Sequence, residues 1–575
     1  MASRVMTPGR GPSWPQVLGL VLSALGAAAC GAAPVQFPLK DPLWVDPDRR
    51  PFAAEPEEYF SPFAWDGADQ MVFRPISRFF AVDPAGEAVN VNAFDEPPSS
   101  SWFYHRIGRY GMTPAQVAKS SCTTPLPDAE KTWTVIGAKP NGFNPGFLLK
   151  ASDGQRYLAK FDGVVQGPRA TAADVIGSRI YHAAGYYVPC NRIIHFRRDI
   201  LVYDPKAKGE NEKGDKEPLS DKHLDKVFDK ALRLPDGRYR ANLSLFVEGK
   251  PIGPWTYQGT RSDDPNDIIP HEDRRELRGM EVLAAWTDHF DSREQNTLAA
   301  FIKAPPGGYV RHYMIDFGDT FGSIWEPPML GRRIGHAYYL DFGYLFEDFF
   351  TLGLIERRWD TVRFGKTERV FGYYDIETFD PDNYKPGYPN PAFGRKSERD
   401  AAWMARILAR FSDAHIRAMV DASQMGDRLG DELVRLLRGR RDKILRRYLT
   451  RLSPLAWPKV ERRGAAAALC LEDMAVVGGV VTKAERGYRA RAWLGEDRTP
   501  ALLNTPALNE GSWACVGLPA LPGASTSAPE YLIVDVVATS GSQRTAPARA
   551  HLYHLGGTDY RVVGLERPSD DDPPG

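Results

Sequence analysis

A hairpin followed at once by a helix is the feature of this sequence that most constrains its fold. Apolar and polar side chains alternate over residues 147–151 and 156–161, and the Asp153-Gly154 pair between these runs is a hairpin signal. A helical pattern comes next, ends at Gly185, and places five apolar residues on one face: Ala172, Val175, Ile176, Ile180 and Ala183. Residues 400–449 then carry strongly amphipathic helical patterns. A small sheet succeeded by a set of helices predicts an α+β fold.

The length and charge of the chain limit its architecture and its partners. A chain of 575 residues is too long for one compact core, so roughly two to four domains are expected. Lys plus Arg and Asp plus Glu are equal at 73 each, which argues against general nucleic-acid binding. A hydrophobic content of 43% is typical of globular proteins rather than disordered ones.

The first 29 residues predict an export signal. Arg4 and Arg10 supply a basic start, and residues 17–29 form an apolar core too short to span a bilayer. The small residues directly before Cys30 resemble a bacterial lipobox, in which that cysteine is lipidated and becomes the new N-terminus. An ordinary A-x-A cleavage and a misassigned start codon are the alternatives. We therefore expect an exported protein, anchored by lipid at Cys30 to a bacterial cell-envelope membrane and facing the periplasm or the cell surface.

The remaining cysteines indicate disulfides. Four are left after Cys30, an even number that suits an oxidising compartment. Cys470 and Cys515 both lie beside strand-like residues of the last segment, so we pair them, and we pair Cys122 with Cys190. None stands in a C-x-x-C motif, which argues against a zinc site.

Shifts in composition divide the chain into segments. The predicted boundaries are a signal peptide at 1–29, a Pro- and aromatic-rich extension at 31–125, a sheet-rich lobe at 126–260, a helical lobe at 261–452, a β-rich disulfide-stapled domain at 460–567 and a disordered tail at 568–575. The charged run at 204–226 predicts a solvated insertion, and residues 452–458 predict a linker. Short β-like runs in the last domain predict a small sandwich.

Five polar residues stand in an order that suits phosphoryl transfer. Such a reaction needs a cation on the phosphates, a carboxylate that orients this cation, an acid near the attacking hydroxyl, and oxygen ligands for magnesium. Lys160 lies near the end of a predicted strand, and Asp174 follows fourteen residues later in the helix. Four residues separate Asp291 from Asn296, and Asp316 opens an Asp-Phe-Gly triplet after an apolar strand. Protein kinases carry the corresponding groups in the same order.

On these motifs, residues 131–449 resemble the protein-kinase-like superfamily, and in motif style its HipA-like and CotH-like atypical bacterial kinases. The resemblance implies a two-lobed kinase-like core, followed by the small all-β, sandwich-like domain. It implies Mg²⁺ and ATP as cofactors, with Lys160 on the α/β-phosphates, Asp174 paired with Lys160, Asp291 beside the acceptor hydroxyl, and Asn296 and Asp316 on Mg²⁺. The implied function is Mg-ATP-dependent phosphoryl transfer to an unknown acceptor.

The sequence departs from the kinase pattern at three places. Phe290 replaces the arginine of the kinase His-Arg-Asp triplet. The helix acid, Asp174, is one methylene shorter than the usual glutamate, so its ion pair requires a closer helix. The phosphate-covering loop at 137–146 lacks G-x-G-x-x-G spacing, although Gly142 and Gly146 are its candidate nucleotide-binding glycines.

Other functions are compatible with the same residues. One alternative is a catalytically inactive kinase-like scaffold that binds a partner. A second is a metal-dependent hydrolase built on Asp288 and His289 beside Asp291. Because ATP is scarce outside the cytoplasmic membrane, a different phosphorylated donor and the transfer of a nucleotidyl unit also stay open.

Three further features have structural interpretations. A second Asp-Phe-Gly triplet begins at Asp341 and is interpreted as a turn after an apolar run. His312 is interpreted as a packed or hydrogen-bonded histidine rather than a metal ligand. A basic cluster consists of Arg274, Arg275 and Arg278. It predicts either phosphate anchors or charge pairs on a solvated helix face.

Overall fold

The structure is a computed structural model that describes most of the chain. The described residues are 35–60, 63–80, 86–139, 144–210, 216–322, 331–495, 497–501, 503, 507–508 and 511–569. The predicted export signal with Cys30, the glycine Gly142 and residues 570–575 of the predicted tail lie outside them. The described part contains both helices and sheets, which confirms the mixed α+β class. None of its helices is both long enough and apolar enough to cross a membrane.

The N-terminal extension contains three α-helices that the sequence does not predict. Its helices are α1 Phe63–Ala68, α2 Arg74–Phe80, which a π-helical turn at Asp69–Phe73 joins to α1, α3 Ile107–Tyr110 and α4 Pro114–Lys119. Trp65 and Ile76 are more than half exposed, so these apolar residues of α1 and α2 face solvent rather than a core. The sequence does mark the start of α4, where Thr113 stands before Pro114 and forms a capping box with Gln116.

The extension lies against distant parts of the chain. Ala53 forms a β-bridge with Gly308, and the N–H of Phe37 donates to the hydroxyl of Tyr531 at 3.1 Å. These contacts join the extension to the middle and to the C-terminal part of the molecule.

A six-stranded sheet in the order β4-β8-β3-β2-β1-β5 follows the extension. The strands of this region are β1 Trp133–Ala138, β2 Gly146–Lys150, β3 Arg156–Phe161, β4 Asn191–Phe196, β5 Leu201–Tyr203, the separate ribbon β6 Lys208–Glu210 with β7 Lys216–Pro218, and β8 Tyr239–Leu245. The predicted hairpin is β2–β3, whose turn residue Gly154 has a φ of 79°. One face of the sheet buries Trp133, Leu149 and Phe161 in a common core.

Helix α5, Arg169–Ala184, packs against this sheet and ends at Gly185 as predicted. Every residue of α5 except His182 is buried. The helix is therefore covered on nearly all sides, and its buried polar residues, such as Arg169 and Asp174, contact other parts of the protein.

The prediction of a solvated insertion at 204–226 is wrong in its last part. Residues Asp221–Phe228 form helix α6, and Leu224 and Phe228 are buried in the core of the sheet. The ring of Phe228 lies 5.5 Å from that of Phe161. Two apolar residues spaced by four are enough to dock one face of a helix, and the surrounding charges conceal that spacing in the sequence.

The helical part of the chain surrounds a buried central helix. Its elements are β9 Lys250–Gly253, α7 Arg275–Thr287, β10 Thr297–Ala304, β11 Gly307–Met314, α8 Phe342–Phe350, α9 Pro391–Gly394, α10 Glu398–Leu408, α11 Asp413–Asp421 and α12 Asp427–Tyr448. The strands form a sheet in the order β11-β10-β9. All residues of α7 are buried, and this helix contacts α9, α10 and α12.

Both interpretations of the basic cluster are wrong, because Arg274, Arg275 and Arg278 are almost completely buried. Nε of Arg275 lies 2.7 Å from Oδ1 of Asp400, and Nη2 of Arg278 lies 2.7 Å from Oδ1 of Asp273. The arginines belong to internal ion pairs rather than to a solvated face or a phosphate site. They are buried because α7 is covered on every side.

A buried group that we call the Asp95 cluster connects three parts of the molecule. Oδ1 of Asp95 lies 2.9 Å from Nη2 of Arg275, and Oδ2 lies 3.0 Å from Nη1 of Arg567 and 3.6 Å from Nη2 of Arg406. Burial alone would raise the pKa of Asp95, but the arginines outweigh it and lower this pKa. The N-terminal extension, α7, α10 and the C-terminal strands thus share one set of ion pairs.

Two antiparallel sheets follow the helices. Their elements are β12 Leu455–Arg463, β13 Ala466–Asp473, the short helix α13 Met474–Val477, β14 Arg486–Leu494, β15 Thr499–Ala501, β16 Ala507–Leu508, β17 Trp513–Gly517, β18 Glu530–Ser540, β19 Gln543–Arg544, β20 Ala548–Gly556 and β21 Asp559–Glu566. One sheet runs β12-β13-β17-β16 and the other β15-β14-β18-β20-β21. Leu469 and Val516 of the first pack with Leu532 and Leu552 of the second. The division into a two-lobed core and a separate β domain stays a prediction.

Both predicted disulfides are present, Cys122–Cys190 and Cys470–Cys515. The predicted linker at 452–458 is wrong, because Leu455 begins strand β12 and is fully buried. Leu455 and Ala456 are both buried and pair with β13, which places these residues in the sheet.

Candidate active site

A buried lysine lies at the centre of the candidate site. Lys160, near the end of β3, pairs with Gly146 of β2 and Asn242 of β8. Its Nζ atom lies 3.1 Å from Oδ2 of Asp174 and 2.6 Å from Oδ1 of Asp316. Burial alone would lower the pKa of Lys160, but the two carboxylates outweigh burial and raise it. The lysine is therefore a charged ammonium group between two acids.

Asp174 links helix α5 to the loop that follows β11. Its Oδ1 accepts the backbone N–H of Phe317 at 2.9 Å, and its Oδ2 accepts from Nδ2 of Asn242 at 3.3 Å. The helix comes close because residue 177 is glycine: a Cβ at Gly177 would lie 2.5 Å from Cβ of Phe317. This approach lets the short aspartate side chain reach Lys160.

The two acids around Lys160 differ in their tendency to ionise. Burial would raise the pKa of Asp316, but Lys160 and Lys139 outweigh it and hold this pKa well below its usual range. Burial raises the pKa of Asp174, and the nearby charge of Asp316 adds to the rise. Asp316 also has a φ of 57°, a backbone conformation that non-glycine residues adopt mainly at turns and functional sites. The negative charge is thus placed preferentially on Asp316.

The loop between α7 and β10 holds Asp291 at both carboxylate oxygens. Nδ2 of Asn296 donates to Oδ2 of Asp291 and to its backbone carbonyl, both at 2.7 Å. Nε of Arg293 lies 3.0 Å from Oδ1 of Asp291. Burial raises the pKa of Asp291 to about 7, while Arg293 opposes the rise and Asp319 adds to it. Asp291 is therefore poised to take up a proton near neutral pH.

The hairpin of β10 and β11 brings the two halves of the site together. Thr297 pairs with Met314 at its open end, and the N–H of Ile315 donates to the carbonyl of Asn296 at 3.1 Å. The next residue is Asp316, whose charge contributes to the raised pKa of Asp291. The hairpin thus explains why residues twenty apart in sequence lie side by side. The predicted residues that the structure brings together are Lys160, Asp174, Asp291, Asn296 and Asp316.

The predicted phosphate-covering loop is described only at its two ends, since Gly142 lies outside the described residues. Gly146 belongs to β2, where a Cβ would lie 2.4 Å from the carbonyl oxygen of Ala159. The packing of the strands therefore already requires a glycine at 146, and its contact with a nucleotide stays a prediction. Nδ2 of Asn144 would lie 3.3 Å from a Cβ at Gly318, so this loop approaches the Asp-Phe-Gly segment.

Two charged residues of the site are missed by the motif pattern. Nζ of Lys139 donates to the carbonyl of Asn144 at 3.0 Å, and burial, with the nearby charge of Lys160, lowers the pKa of Lys139. Asp319 is close enough to Asp291 to raise the pKa of that carboxyl. Lys139 lies in the segment 137–146, and Asp319 directly follows the Asp-Phe-Gly triplet of Asp316. Their charge and these positions are the sequence signals that could have identified them.

A third missed residue, Arg169, fixes the backbone after Asp316. Its Nη1 donates to the carbonyls of Gly318 at 3.0 Å and Thr320 at 2.8 Å. The contact between Arg169 and Gly318 spans 149 residues of sequence, so no local sequence pattern predicts it.

The oxygen donors of the site fit a hard divalent cation. Mg²⁺ prefers carboxylate and amide oxygens, and Asp316, Asp319 and Asn296 supply both types. The amide nitrogen of Asn296 is already bound to Asp291, so its other amide atom is an oxygen of the required kind. Asn296 and Asp316 as ligands of Mg²⁺ stay a prediction.

The histidines near the site serve packing. Nδ1 of His289 lies 3.0 Å from the hydroxyl of Tyr181, and burial lowers the pKa of His289 to about 4. His312 is stacked at 3.4 Å on Trp102, as a packed histidine would be. In the described ranges, one group of three potential metal ligands has its donor atoms within 4.8 Å, and both of its cysteines form a disulfide: Glu461, Cys470 and Cys515. These contacts give the hydrolase alternative no added support.

The second Asp-Phe-Gly triplet serves as a helix cap. Oδ1 of Asp341 accepts the N–H of Tyr344 at the start of α8, and its Oδ2 lies 2.7 Å from Nζ of Lys385. This triplet therefore begins a helix rather than a simple turn.

Comparisons with known proteins give weak similarity to kinases. No family model matches the chain, and no curated protein matches it. A crystal structure of the Golgi casein kinase with Mn/ADP bound has 11% identity and a TM-score of 0.21, and the match covers 49% of this chain and 74% of that chain. A second crystal structure of the Golgi casein kinase has 12% identity and a TM-score of 0.21, with 64% of this chain and 96% of that chain covered. At such TM-scores the function rests on the site geometry alone.

Proposed function

We propose that the protein is an atypical kinase-like enzyme that catalyses Mg-ATP-dependent phosphoryl transfer to an unknown acceptor. The observation that carries this proposal is the position of the Lys160 ammonium between Asp174 and Asp316, next to the Asp291–Asn296 pair. A cation, an orienting acid, an acid near neutral pKa and two oxygen ligands are the groups that phosphoryl transfer requires.

Each residue has a role that follows from its contacts. Lys160 would bind the α/β-phosphates, and Asp174 would orient its ammonium group. A phosphate at Lys160 would compete with Asp316 for this ammonium and free the Asp316 carboxylate for the metal. When bound, Mg²⁺ would neutralise phosphate charge, held by Asp316 and Asn296. Phosphate binding and the release of Asp316 are therefore linked events.

Asp291 would receive the proton of the attacking hydroxyl group. Its pKa of about 7 lets it hold that proton transiently near neutral pH. Asn296 and Arg293 fix its two oxygens, so the carboxylate has one orientation toward an acceptor. Asp319 adds negative charge beside it, which favours proton uptake.

We also propose that the enzyme is exported and lipid-anchored at Cys30 to a cell-envelope membrane. The basic start, the apolar core and the small residues before Cys30 support this placement. Two disulfides among the described residues are in keeping with an oxidising compartment. In that compartment another phosphorylated donor, or the transfer of a nucleotidyl unit, would use the same residues.

The main alternative is a catalytically inactive scaffold. It is favoured by the missing G-x-G-x-x-G pattern at 137–146, since a scaffold needs the fold but no nucleotide. A metal-dependent hydrolase at Asp288 and His289 is the second alternative, and the internal contact of His289 with Tyr181 weakens it.

Nucleotide binding distinguishes these functions. We would titrate ATP with and without Mg²⁺ into the chain lacking residues 1–30, by calorimetry, and compare Asp316→Asn with Asp341→Asn. The two variants remove a carboxylate from the two Asp-Phe-Gly triplets, and only the first lies at Lys160. We expect the wild type and Asp341→Asn to bind Mg-ATP and Asp316→Asn to lose at least tenfold in affinity. Absence of any nucleotide binding by the wild type would favour the scaffold.

A further inference from the structure

Two helical segments beside the candidate site expose large apolar side chains. On α8 and the turn after it, five such residues are between 61% and 85% exposed: Phe346, Phe349, Phe350, Leu352 and Leu354. On the segment of α1 and α2, Trp65, Phe73 and Ile76 are more than half exposed. We call these two surfaces together the apolar face. Large exposed apolar patches on soluble proteins usually mark interaction sites.

The acids of α8 are paired with arginines. Glu347 pairs with Arg357, and Oδ2 of Asp348 lies 2.8 Å from Nη1 of Arg333. The guanidinium groups of Arg333 and Arg357 lie over the ring of Tyr344, at 4.8 and 4.2 Å. The charges of both acids on α8 are thus compensated next to its exposed apolar side chains.

Exposed cations adjoin this helix. Arg332 and Arg358 are exposed. In the sequence they are direct neighbours of Arg333 and Arg357, the two arginines that contact Tyr344. One acid, Glu356, is also exposed in the same stretch. Among the residues that the structure describes in 331–358, the exposed arginines beside α8 thus outnumber the exposed acid.

The apolar face adjoins the loop of Asp291 from two sides. On the α8 side, the ring of Tyr339 lies 6.4 Å from that of Phe290 and 5.1 Å from that of Tyr388. On the other side, Nη1 of Arg74 in α2 lies 2.5 Å from Oε1 of Glu294. A surface that covered the apolar face would consequently lie next to the candidate site.

We propose that the apolar face docks the protein on an anionic lipid surface. Aromatic and leucine side chains that protrude by more than half of their area suit insertion into a deformable interface. A border of exposed arginines complements anionic headgroups, and long arginine side chains can reach them while the apolar groups insert. The docking is separate from the predicted lipid at Cys30, and it does not depend on the proposed phosphoryl transfer.

Local hydrogen exchange tests the docking in the full chain. The probe is a vesicle of phosphatidylcholine with about a third phosphatidylglycerol, and the comparison is a vesicle of phosphatidylcholine alone. Cys30→Ser in every sample removes the predicted lipidation position. We expect slower exchange at Phe342–Phe350 and Arg74–Phe80 with the anionic vesicles, because insertion shields these backbones.

Matched variants separate apolar insertion from general effects. Phe346→Ser/Phe349→Ser/Phe350→Ser removes three exposed side chains and should weaken the vesicle partition about tenfold or more. Leu126→Ser/Val202→Ser removes two exposed apolar side chains outside the apolar face and should leave the partition unchanged. Arg332→Gln/Arg358→Gln should reduce the preference for anionic over neutral vesicles.

Three outcomes would overturn the proposal. One is equal exchange of α8 with and without anionic vesicles. Another is protection of α8 that rises with protein concentration in the absence of lipid, which would assign the face to a second copy of the chain. The third is a serine triple variant that partitions like the wild type.

Discussion

Burial holds Asp291 partly protonated near neutral pH, since its pKa is raised to about 7. An ordinary aspartate in the unfolded chain loses its proton near pH 4. Between these values the folded protein binds one proton more than the unfolded chain, so the free energy of unfolding falls as pH rises. Asp291, which the proposed chemistry needs, therefore lowers the free energy of unfolding at neutral pH.

We expect Asp291→Asn to remove this pH dependence. The variant should gain about 2–4 kcal/mol relative to the wild type between pH 4 and pH 8, because it has no proton to lose. Thermal unfolding midpoints of both proteins at pH 5 and pH 8 measure the difference. Parallel pH profiles for the two proteins would contradict the raised pKa of Asp291.

Gly177→Ala tests the close approach of α5 to the Asp-Phe-Gly loop. In an open helix this change stabilises by up to about 1 kcal/mol, but here the new Cβ meets Phe317, and overpacking costs about 1–3 kcal/mol. We expect a lower unfolding midpoint and, if Mg-ATP binds, a weaker affinity by calorimetry. Gly394→Ala is the control, since nothing lies within 4 Å of its new Cβ. Equal unfolding midpoints for the two variants would show that the Asp-Phe-Gly loop accommodates the new Cβ without loss of stability.

The site was predictable where sequence order reflects a local element. Asn296 directly precedes β10 and Asp316 closely follows β11, so both lie at the open end of this hairpin. Their proximity therefore follows from the pairing of the two strands. Arg169 escaped because its contacts depend on how α5 packs against residues 149 or more positions later in the chain. A pattern of spacings cannot show such contacts.

At the scale of elements, local signals predicted some segments and failed for others. The β2–β3 hairpin and α5 are marked by a turn dipeptide and a terminal glycine, and both form as predicted. Helix α6 was hidden because charged residues surround its two apolar ones. Segments α1 and α2 were hidden for a different reason, because apolar residues such as Trp65 and Ile76 face solvent rather than a core.

Strands β13 and β17 are joined both by ladder pairing and by a disulfide. Cys470 and Cys515 are directly opposite in the register and close a loop with a sequence separation of 45. We expect Cys470→Ser/Cys515→Ser to lower the stability of the C-terminal sheets by about 2–5 kcal/mol. Differential scanning calorimetry measures the loss, and Mg-ATP affinity should stay unchanged. An unshifted transition would mean that the ladder alone sets the stability of these strands.

At the scale of the whole molecule, the Asp95 cluster joins segments that lie far apart in the chain. Asp95 precedes the sheet, Arg275 and Arg406 belong to the helical part, and Arg567 follows the last strand. Composition predicts a division of the chain into segments, and that division stays a prediction. Composition could not predict the connection between these parts of the chain, because a buried ion pair leaves no periodic pattern in the sequence.

We expect Asp95→Asn to destabilise the protein by about 3–5 kcal/mol, because three buried arginines lose their shared acid. The pKa of Asp95 is lowered on folding, so this stabilisation is present at neutral pH and is lost as pH falls below the unfolded value. Thermal unfolding at pH 7 and at pH 3.5 checks both effects.

A second ion pair in the same region supplies the control. Asp41 pairs with Arg561 and likewise joins the extension to β21, but the Asp41 side chain is 84% exposed. Asp41→Asn should therefore cost no more than about 1 kcal/mol. Equal losses for Asp41→Asn and Asp95→Asn would show that burial does not determine the strength of these pairs.

The sequence distance between Asp95 and Arg567 also determines when the Asp95 cluster can be completed during synthesis. Asp95 is made before all of its arginine partners, and Arg567 follows it by 472 residues. A polypeptide that emerges from its N-terminus, whether from a ribosome or through a membrane pore, cannot complete this cluster until residue 567 has emerged. Until then, Asp95 has only Arg275 and Arg406 of the cluster as possible partners.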